Sequence, residues 1–188
     1  MSTHSFSFPS LREQLLLSGQ SVAHCYQCGK CSAGCPLASE TDFAPSQIVR
    51  LIQFGDPDLD RKALGSFTIW QCLTCQTCSA RCPQEVDLPG IMDFLRQESW
   101  KRRMVNPKAR NIIAFHKSFL NSIRLTGRMF EIGMIIDYKR RSLRLFQDVL
   151  LAPKLLVRGK LHFFPHRIKG AKEVRNLFKG IKNRGSVQ

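Results

Sequence analysis

The chain has 188 residues, a formal charge of +15 at pH 7 and 43% hydrophobic residues. That hydrophobic share supports a modest buried core and excludes a wholly disordered chain. All eight cysteines fall between residues 25 and 82 and the last 106 residues hold none, which excludes a disulfide framework spread over a secreted domain. The opening MSTHSFSFPS lacks the basic start and apolar run of a secretory leader. The expected setting is therefore a reducing one, the cytoplasm, where clustered cysteines usually mean metal. The most apolar stretch, Met129 to Ile136, is broken by Glu131 and followed by Asp137, Lys139, Arg140 and Arg141. It falls well short of the ~20 apolar residues of a spanning helix, so no transmembrane segment is expected. Charge is unevenly placed: residues 1–100 carry a net −3 and residues 101–188 a net +18.

Taken in chain order, Ser10–Ser18 reads as a short amphipathic helix ended by Gly19. The first cysteine run, CYQCGKCSAGCP, covers Cys25 to Pro36. Pro45–Phe54 then places Ile48, Leu51 and Ile52 on one helical face, and Gly55 with Pro57 stops it. Arg61–Trp70 leads into the second run, CLTCQTCSARCP, from Cys72 to Pro83. Asp87 reads as an N-cap with Pro89 in the first turn. The helix it opens carries Leu88, Ile91, Met92 and Leu95 and extends to about Arg103. Asn106 and Pro107 make a break. The segment 108–124 sets Ile112, Phe115, Phe119 and Ile123 on one stripe. More helix is expected over 127–150, interrupted by Pro153, and the basic tail 168–182 presents Val174, Leu177, Phe178 and Ile181. No strand alternation is evident, and the expected fold is mainly α.

Both runs have the form C-x2-C-x2-C-x3-C-P: Cys25, Cys28, Cys31 and Cys35, then Cys72, Cys75, Cys78 and Cys82. Structural zinc takes two ligand pairs round one ion, whereas each run here offers three close thiols and a fourth. The pattern is that of the bacterial ferredoxins, in which the fourth cysteine of a run ligates the other cluster. That resemblance implies two [4Fe–4S] clusters, one on Cys25, Cys28, Cys31 and Cys82 and its partner on Cys72, Cys75, Cys78 and Cys35. Pro36 and Pro83 turn the chain away after the last ligand. Gly29, Ser32, Ala33, Gly34, Ser79 and Ala80 let the backbone approach the sulfurs and tune them by hydrogen bonding. Lys30 and Arg81 either favour the reduced form or are solvated loop charges, and the residues leave both open. His24 similarly bonds a cluster or partner or is a loop histidine, and Trp70 packs the core or screens a cluster from water.

Cys35 and Cys72 are separated by 36 residues with a helical pattern, unlike the short strand-bearing link of a compact ferredoxin. The arrangement resembles the α-helical ferredoxin module, also present in the iron–sulfur subunits of succinate dehydrogenases. Beyond the module, HCYQCGKCSAGCP, IWQCLTCQTCSARCP, the helix after it and the basic tail resemble the C subunit of soluble heterodisulfide reductase. This resemblance implies an α-helical ferredoxin module over 1–104, with a basic helical C-terminal extension over 105–188 for partner docking. It also implies an electron-relay subunit between a flavin- and iron–sulfur-bearing A-like subunit and a B-like catalytic subunit that reduces a disulfide. No catalytic residue is expected, because all eight cysteines are committed as ligands and no G-x-G-x-x-G fingerprint appears. A relay serving another thiol-, sulfur- or quinone-linked oxidoreductase is the neighbouring reading, and a nucleic-acid-binding redox sensor a more distant one. The basic half, with Phe163 and Phe164 between basic stretches, is read as a docking arm for an acidic partner. Contact with an anionic membrane surface stays open, and nucleic acid is not the expected partner. His4, His116, His162 and His166 show no ligand spacing.

Overall fold

The computed structural model describes residues 9–143 and 168–185, and the chain divides into two compact units, 1–109 and 110–188. The described residues form helices and turns and no strand, a mainly α fold built on an α-helical ferredoxin module.

In the first unit, α1 (Leu11–Leu17) opens on a capping box in which the Ser10 hydroxyl accepts from Glu13 N–H while Glu13 accepts from Ser10 N–H. Gly19, at φ 81°, ends it in the left-handed conformation. The first cysteine run contains α2 (Lys30–Ala33) and leads into α3 (Pro45–Gln53). The buried face of α3 is Ile48, Val49 and Ile52. The expected stripe had Leu51 in place of Val49, but packing against α1 and the following helix rotates the buried face by one residue.

That following helix, α4 (Pro57–Leu64), departs from the sequence reading, in which Pro57 only ended α3. Proline is favourable at the first helical position because the N–H it lacks would have no intrahelical partner. Asp56 completes the start by accepting from Asp58 and Leu59 N–H, both at 3.0 Å. Asp60 of α4 is buried and accepts from Leu11 N–H at 2.8 Å, tying the two helices together.

The short α5 (Thr68–Gln71) delivers Cys72, the second run contains α6 (Thr77–Ala80), and α7 (Leu88–Lys101) follows. As expected from the sequence, Asp87 caps α7 and Leu88, Ile91, Met92 and Leu95 are its buried face. These side chains meet α4, α5 and α6. With Leu11, Leu15, Ile48, Val49, Ile52, Leu64 and Ile69 they make a closed aliphatic core. Each fully buried aliphatic contributes about 1.5–3 kcal/mol relative to exposure. Trp70 belongs to this core, 9% exposed, with its indole N–H lacking a protein partner.

The second unit contains α8 (Arg110–Thr126), α9 (Glu131–Ser142) and α10 (Ala171–Gly185), with α9 and α10 both packed on α8. The buried line of α8 is Ala114, Ser118, Ser122 and Thr126. The stripe expected from its large residues is only partly covered, and Phe115 is exposed. Small residues at i, i+4 spacing let helices approach closely, so they take the contact and the bulky side chains flank it. The hydroxyls are satisfied locally, Ser118 donating to Ala114 O and Thr126 to Ser122 O, each at 2.9 Å. The expectations concerning His4, residues 144–150, Pro153, His162, Phe163, Phe164 and His166 lie outside the described residues.

Candidate metal centre

The two cysteine runs share a backbone as well as a spacing. Counted 47 residues apart, as Cys25 and Cys72 are, Gln27 and Thr74 have φ of 64° and 51°, and Gly29 and Gln76 have φ of 76° and 64°. Left-handed residues alternating with ordinary ones turn successive N–H groups to one side, making the concave nest that suits anions and iron–sulfur sites. Three of these four positions are not glycine, so the conformation is held at a cost. In each run the nest is followed by one helical turn, α2 or α6, and these two turns pack on each other.

That packing mixes the thiols of the runs. Cys72, Cys75 and Cys78 line a cavity together with Cys35, and its remaining wall includes Leu37, Pro45, Leu73, Leu88 and Met92. On the other side, the Tyr26 hydroxyl has its pKa pushed up, first by loss of water and then by the thiolates of Cys28, Cys82 and Cys25. The Cys82 charge thus acts on a residue of the first run, while Cys35 lines the cavity of the second. Cys31 and Cys78, equivalent in the two runs, lie on the packed turns α2 and α6. Burial pushes the Cys78 thiol up to about 11, with Cys72 and Cys31 adding to it. Burial likewise raises Cys31, whereas the Thr77 hydroxyl, 3.4 Å from the Cys75 sulfur, and the Thr77 N–H pull Cys75 down.

Hydrogen-bond donors converge on the sulfurs from both halves. Gln27 Nε2 donates to Cys25 Sγ at 3.5 Å and Val86 N–H to Cys82 Sγ at 3.3 Å. Among the described residues no three His, Cys, Asp or Glu side chains converge on a point suited to a single ion. Four of the thiols, Cys35, Cys72, Cys75 and Cys78, instead line one cavity, and a cubane needs such an arrangement because each of its irons takes one thiolate. The four thiols and apolar wall of this cavity fit a [4Fe–4S] cluster, and the N–H donors to Cys25 and Cys82 suit thiolate ligands of a second one.

Three residues that the sequence reading missed hold the runs in place. Gln53, at the end of α3, donates from Nε2 to Val22 O at 2.9 Å and Cys25 O at 2.7 Å, and accepts from Gln27 at 3.1 Å. Arg96 of α7 plays the matching part for the second run, donating to Ile69 O and Cys72 O. The carbonyls held are again equivalent, three residues before the first cysteine and on the cysteine itself. Asp42 accepts from Phe67 N–H at 2.7 Å, Thr68 N–H at 2.9 Å and the Thr68 hydroxyl at 2.6 Å, fixing the start of α5. Burial acts to raise the Asp42 pKa, but these donors outweigh it and hold the carboxyl below its ordinary value. A glutamine ending a helix and a half-buried arginine next to Leu95 carry no local signature of such contacts.

Of the other residues singled out in the sequence, His24 is exposed and lines a polar hollow with Gln20, Glu85 and Asp87. Lys30 and Arg81 are exposed, and His116 stacks at a tilt against Phe115 in the second unit. Among the described residues, no helix is long and apolar enough to cross a membrane.

Residues 21–86 match the family described as a 4Fe-4S dicluster domain. The chain is 31% identical over 97 residues to the C subunit of the H(2):CoB-CoM heterodisulfide,ferredoxin reductase of Methanothermobacter marburgensis, covering 52% of this chain and 51% of that one. It is 42% identical over 73 residues to the C subunit of the ferredoxin:CoB-CoM heterodisulfide reductase of Methanosarcina acetivorans, covering 39% and 28%. With the iron-sulfur C 2 subunit of the CoB--CoM heterodisulfide reductase of Methanocaldococcus jannaschii it shares 38% over 77 residues, covering 41% and 39%. The chain spans about half the length, or less, of these curated relatives. The chain is thus similar to the C subunits of heterodisulfide reductases, and its residues 21–86 match a 4Fe-4S dicluster domain.

Proposed function

We propose that this chain is the electron-relay subunit of a heterodisulfide reductase-like complex, passing electrons through two [4Fe–4S] clusters. One cluster is carried by Cys25, Cys28, Cys31 and Cys82, the other by Cys72, Cys75, Cys78 and Cys35. The observation that carries this reading is the cavity in which Cys35 joins the three close thiols of the opposite run. Exchange of one thiol in each direction makes the two sites a single unit and keeps them adjacent, as stepwise transfer requires. The clusters supply one-electron chemistry; the chain's residues hold the thiolates, direct N–H groups at them and exclude water.

With every cysteine a ligand, the chain itself has no thiol left for disulfide chemistry. The substrate site then lies on a B-like catalytic subunit, and the electrons come from an A-like flavin and iron–sulfur subunit. Residues 1–104 form the cluster-binding part, and residues 105–188 act as a docking arm. The support for the arm is charge: 22 Lys and Arg against 4 Asp and Glu over residues 101–188 favour a more acidic protein surface. The complex works in the cytoplasm.

Anaerobic purification with metal analysis and EPR tests the core of this proposal. About eight irons per chain and two magnetically interacting reduced clusters are expected from two cubane sites. Zinc in place of iron, or a single cluster, would sink it. Co-production with A-like and B-like subunits tests the relay. Electrons from the reduced A-like subunit should reach the B-like subunit only when this chain is present.

A further inference from the structure

We propose that Arg81 is a shared counter-charge for both clusters, laid across the junction of the two cysteine runs where Gly34 leaves room for it. The proposal rests on the two-cluster reading above. In the 47-residue repeat, Gly34 and Arg81 are the same position, the one before the fourth cysteine. A Cβ on Gly34 would lie 2.6 Å from Arg81 Nη1, 2.8 Å from its Cδ and 3.1 Å from its Cζ. The arginine stem and guanidinium therefore rest directly on the bare backbone of their counterpart.

Gly34 has φ −97°, a value open to any residue, so its backbone does not require glycine. Only the approach of Arg81 does. The junction has space for one side chain, and the second run supplies a cation to fill it. Its neighbours are the thiols that change sides: Gly34 precedes Cys35 and Arg81 precedes Cys82. Among the described residues no carboxylate pairs with Arg81, so its charge is not neutralised by an ion pair.

Four thiolates give each site a negative charge, and each electron adds one more. Because the turns α2 and α6, which carry Cys31 and Cys78, pack on each other, an electron on one cluster opposes an electron on the other. A cation at the junction stabilises both reduced forms and stabilises the doubly reduced state most. Both midpoint potentials rise, while the repulsion between the two added electrons is unchanged, because the fixed charge acts on each electron separately. The guanidinium is solvent-exposed, so the effect is moderate and screened by salt.

The test is an anaerobic redox titration of the full-length holoprotein, followed by EPR. In Arg81→Gln, both midpoints should fall while iron content stays at the wild-type level. At low ionic strength the fall amounts to about fivefold in each reduction equilibrium, where tenfold is ~59 mV for one electron. Arg81→Lys should restore most of the difference. Gly34→Ala, which displaces the guanidinium without removing it, should shift both midpoints the same way and add nothing in the Arg81→Gln background. The gap should close between ~0.01 M and ~1 M salt, as the Debye length drops from about 30 to 3 Å. Unchanged midpoints at low salt, or movement of one cluster alone, overturn the proposal. Should Arg81→Gln lose iron, Gly34→Ala decides by the same criterion. A wild-type chain without the two clusters overturns the underlying two-cluster reading instead.

Discussion

The two units bury different things. In the first, Leu11, Leu15, Ile48, Val49, Ile52, Leu64, Ile69 and Leu95 are wholly excluded from water. In the second, the buried line of α8 is alanine, serine and threonine, while Ile136, Leu177 and Ile181 are 63%, 67% and 69% exposed. Charge follows the same division, with residues 1–109 at a net +1 and residues 110–188 at +14. A closed aliphatic core gives the first unit the rigidity that cluster ligation demands, since thiols misplaced by an ångström do not match a rigid cubane. Among the described residues of the second unit, large apolar side chains such as Ile136, Leu177 and Ile181 lie on the surface among cations, where a partner could cover them. In the function proposed above, the first is organised round an internal ligand and the second round an external partner.

The largest expected effect probes the internal ligand. Cys35→Ser should strip the cluster of the opposite run, carried on Cys72, Cys75 and Cys78, and lower iron from about eight to about four per chain. Iron analysis with EPR reads this directly, and loss confined to the run containing Cys35 would contradict the exchange of thiols. Next comes the contrast in cores. Leu95→Ala should cost about 2–5 kcal/mol, whereas Ile136→Ala should change stability by no more than ~0.5 kcal/mol. Denaturant unfolding followed by cluster absorbance and circular dichroism measures both, and equal losses would erase the distinction between the units.

Ser118→Leu sharpens the same contrast from the other side. Enlarging a buried small residue of α8 should cost about 1–3 kcal/mol through overpacking, although leucine is the better helix former. A neutral or stabilising result would mean that the small-residue line is not the packing surface. The smallest effect concerns Asp42. Losing a carboxylate that caps α5 should cost about 1 kcal/mol at neutral pH in Asp42→Asn. Because the folded pKa is depressed, this contribution is present above the unfolded value of about 4 and is lost as pH falls through the folded one. Wild type and Asp42→Asn should therefore converge in acid. A stability difference that stays constant down to pH ~2 would assign Asp42 no such role.

Much of the first unit is legible from residue order. Ser10 with Glu13, Asp87 with Pro89, and the i, i+3, i+4 apolar positions of α7 are local signals read within one helical turn. The metal chemistry is local too, because three cysteines spaced by two can wrap one corner of a cluster without help from the rest of the chain. Illegibility begins where local signals conflict. Pro57 after Gly55 looks like a stop, yet Asp56 turns it into a start. On α8 the large residues suggest the buried stripe, but close helix approach favours Ala114, Ser118 and Ser122. Gln53 reaches carbonyls 28 and 31 positions away, Arg96 carbonyls 24 and 27 away, and Asp42 amides 25 and 26 away. Nothing near those residues in the chain announces these contacts.

Residue order alone determined that this protein has two equivalent cysteine runs, a mainly helical fold and a basic second half. Spacing, caps and charge are written within a few positions of one another. Only the tertiary structure placed Cys35 in one cavity with Cys72, Cys75 and Cys78, pinned the backbone carbonyls beside the runs and laid Arg81 across Gly34. Those relations link positions 24 to 47 residues apart. They depend on the packing of α2 on α6 and of α3 and α7 beside them, which no single stretch of the chain encodes.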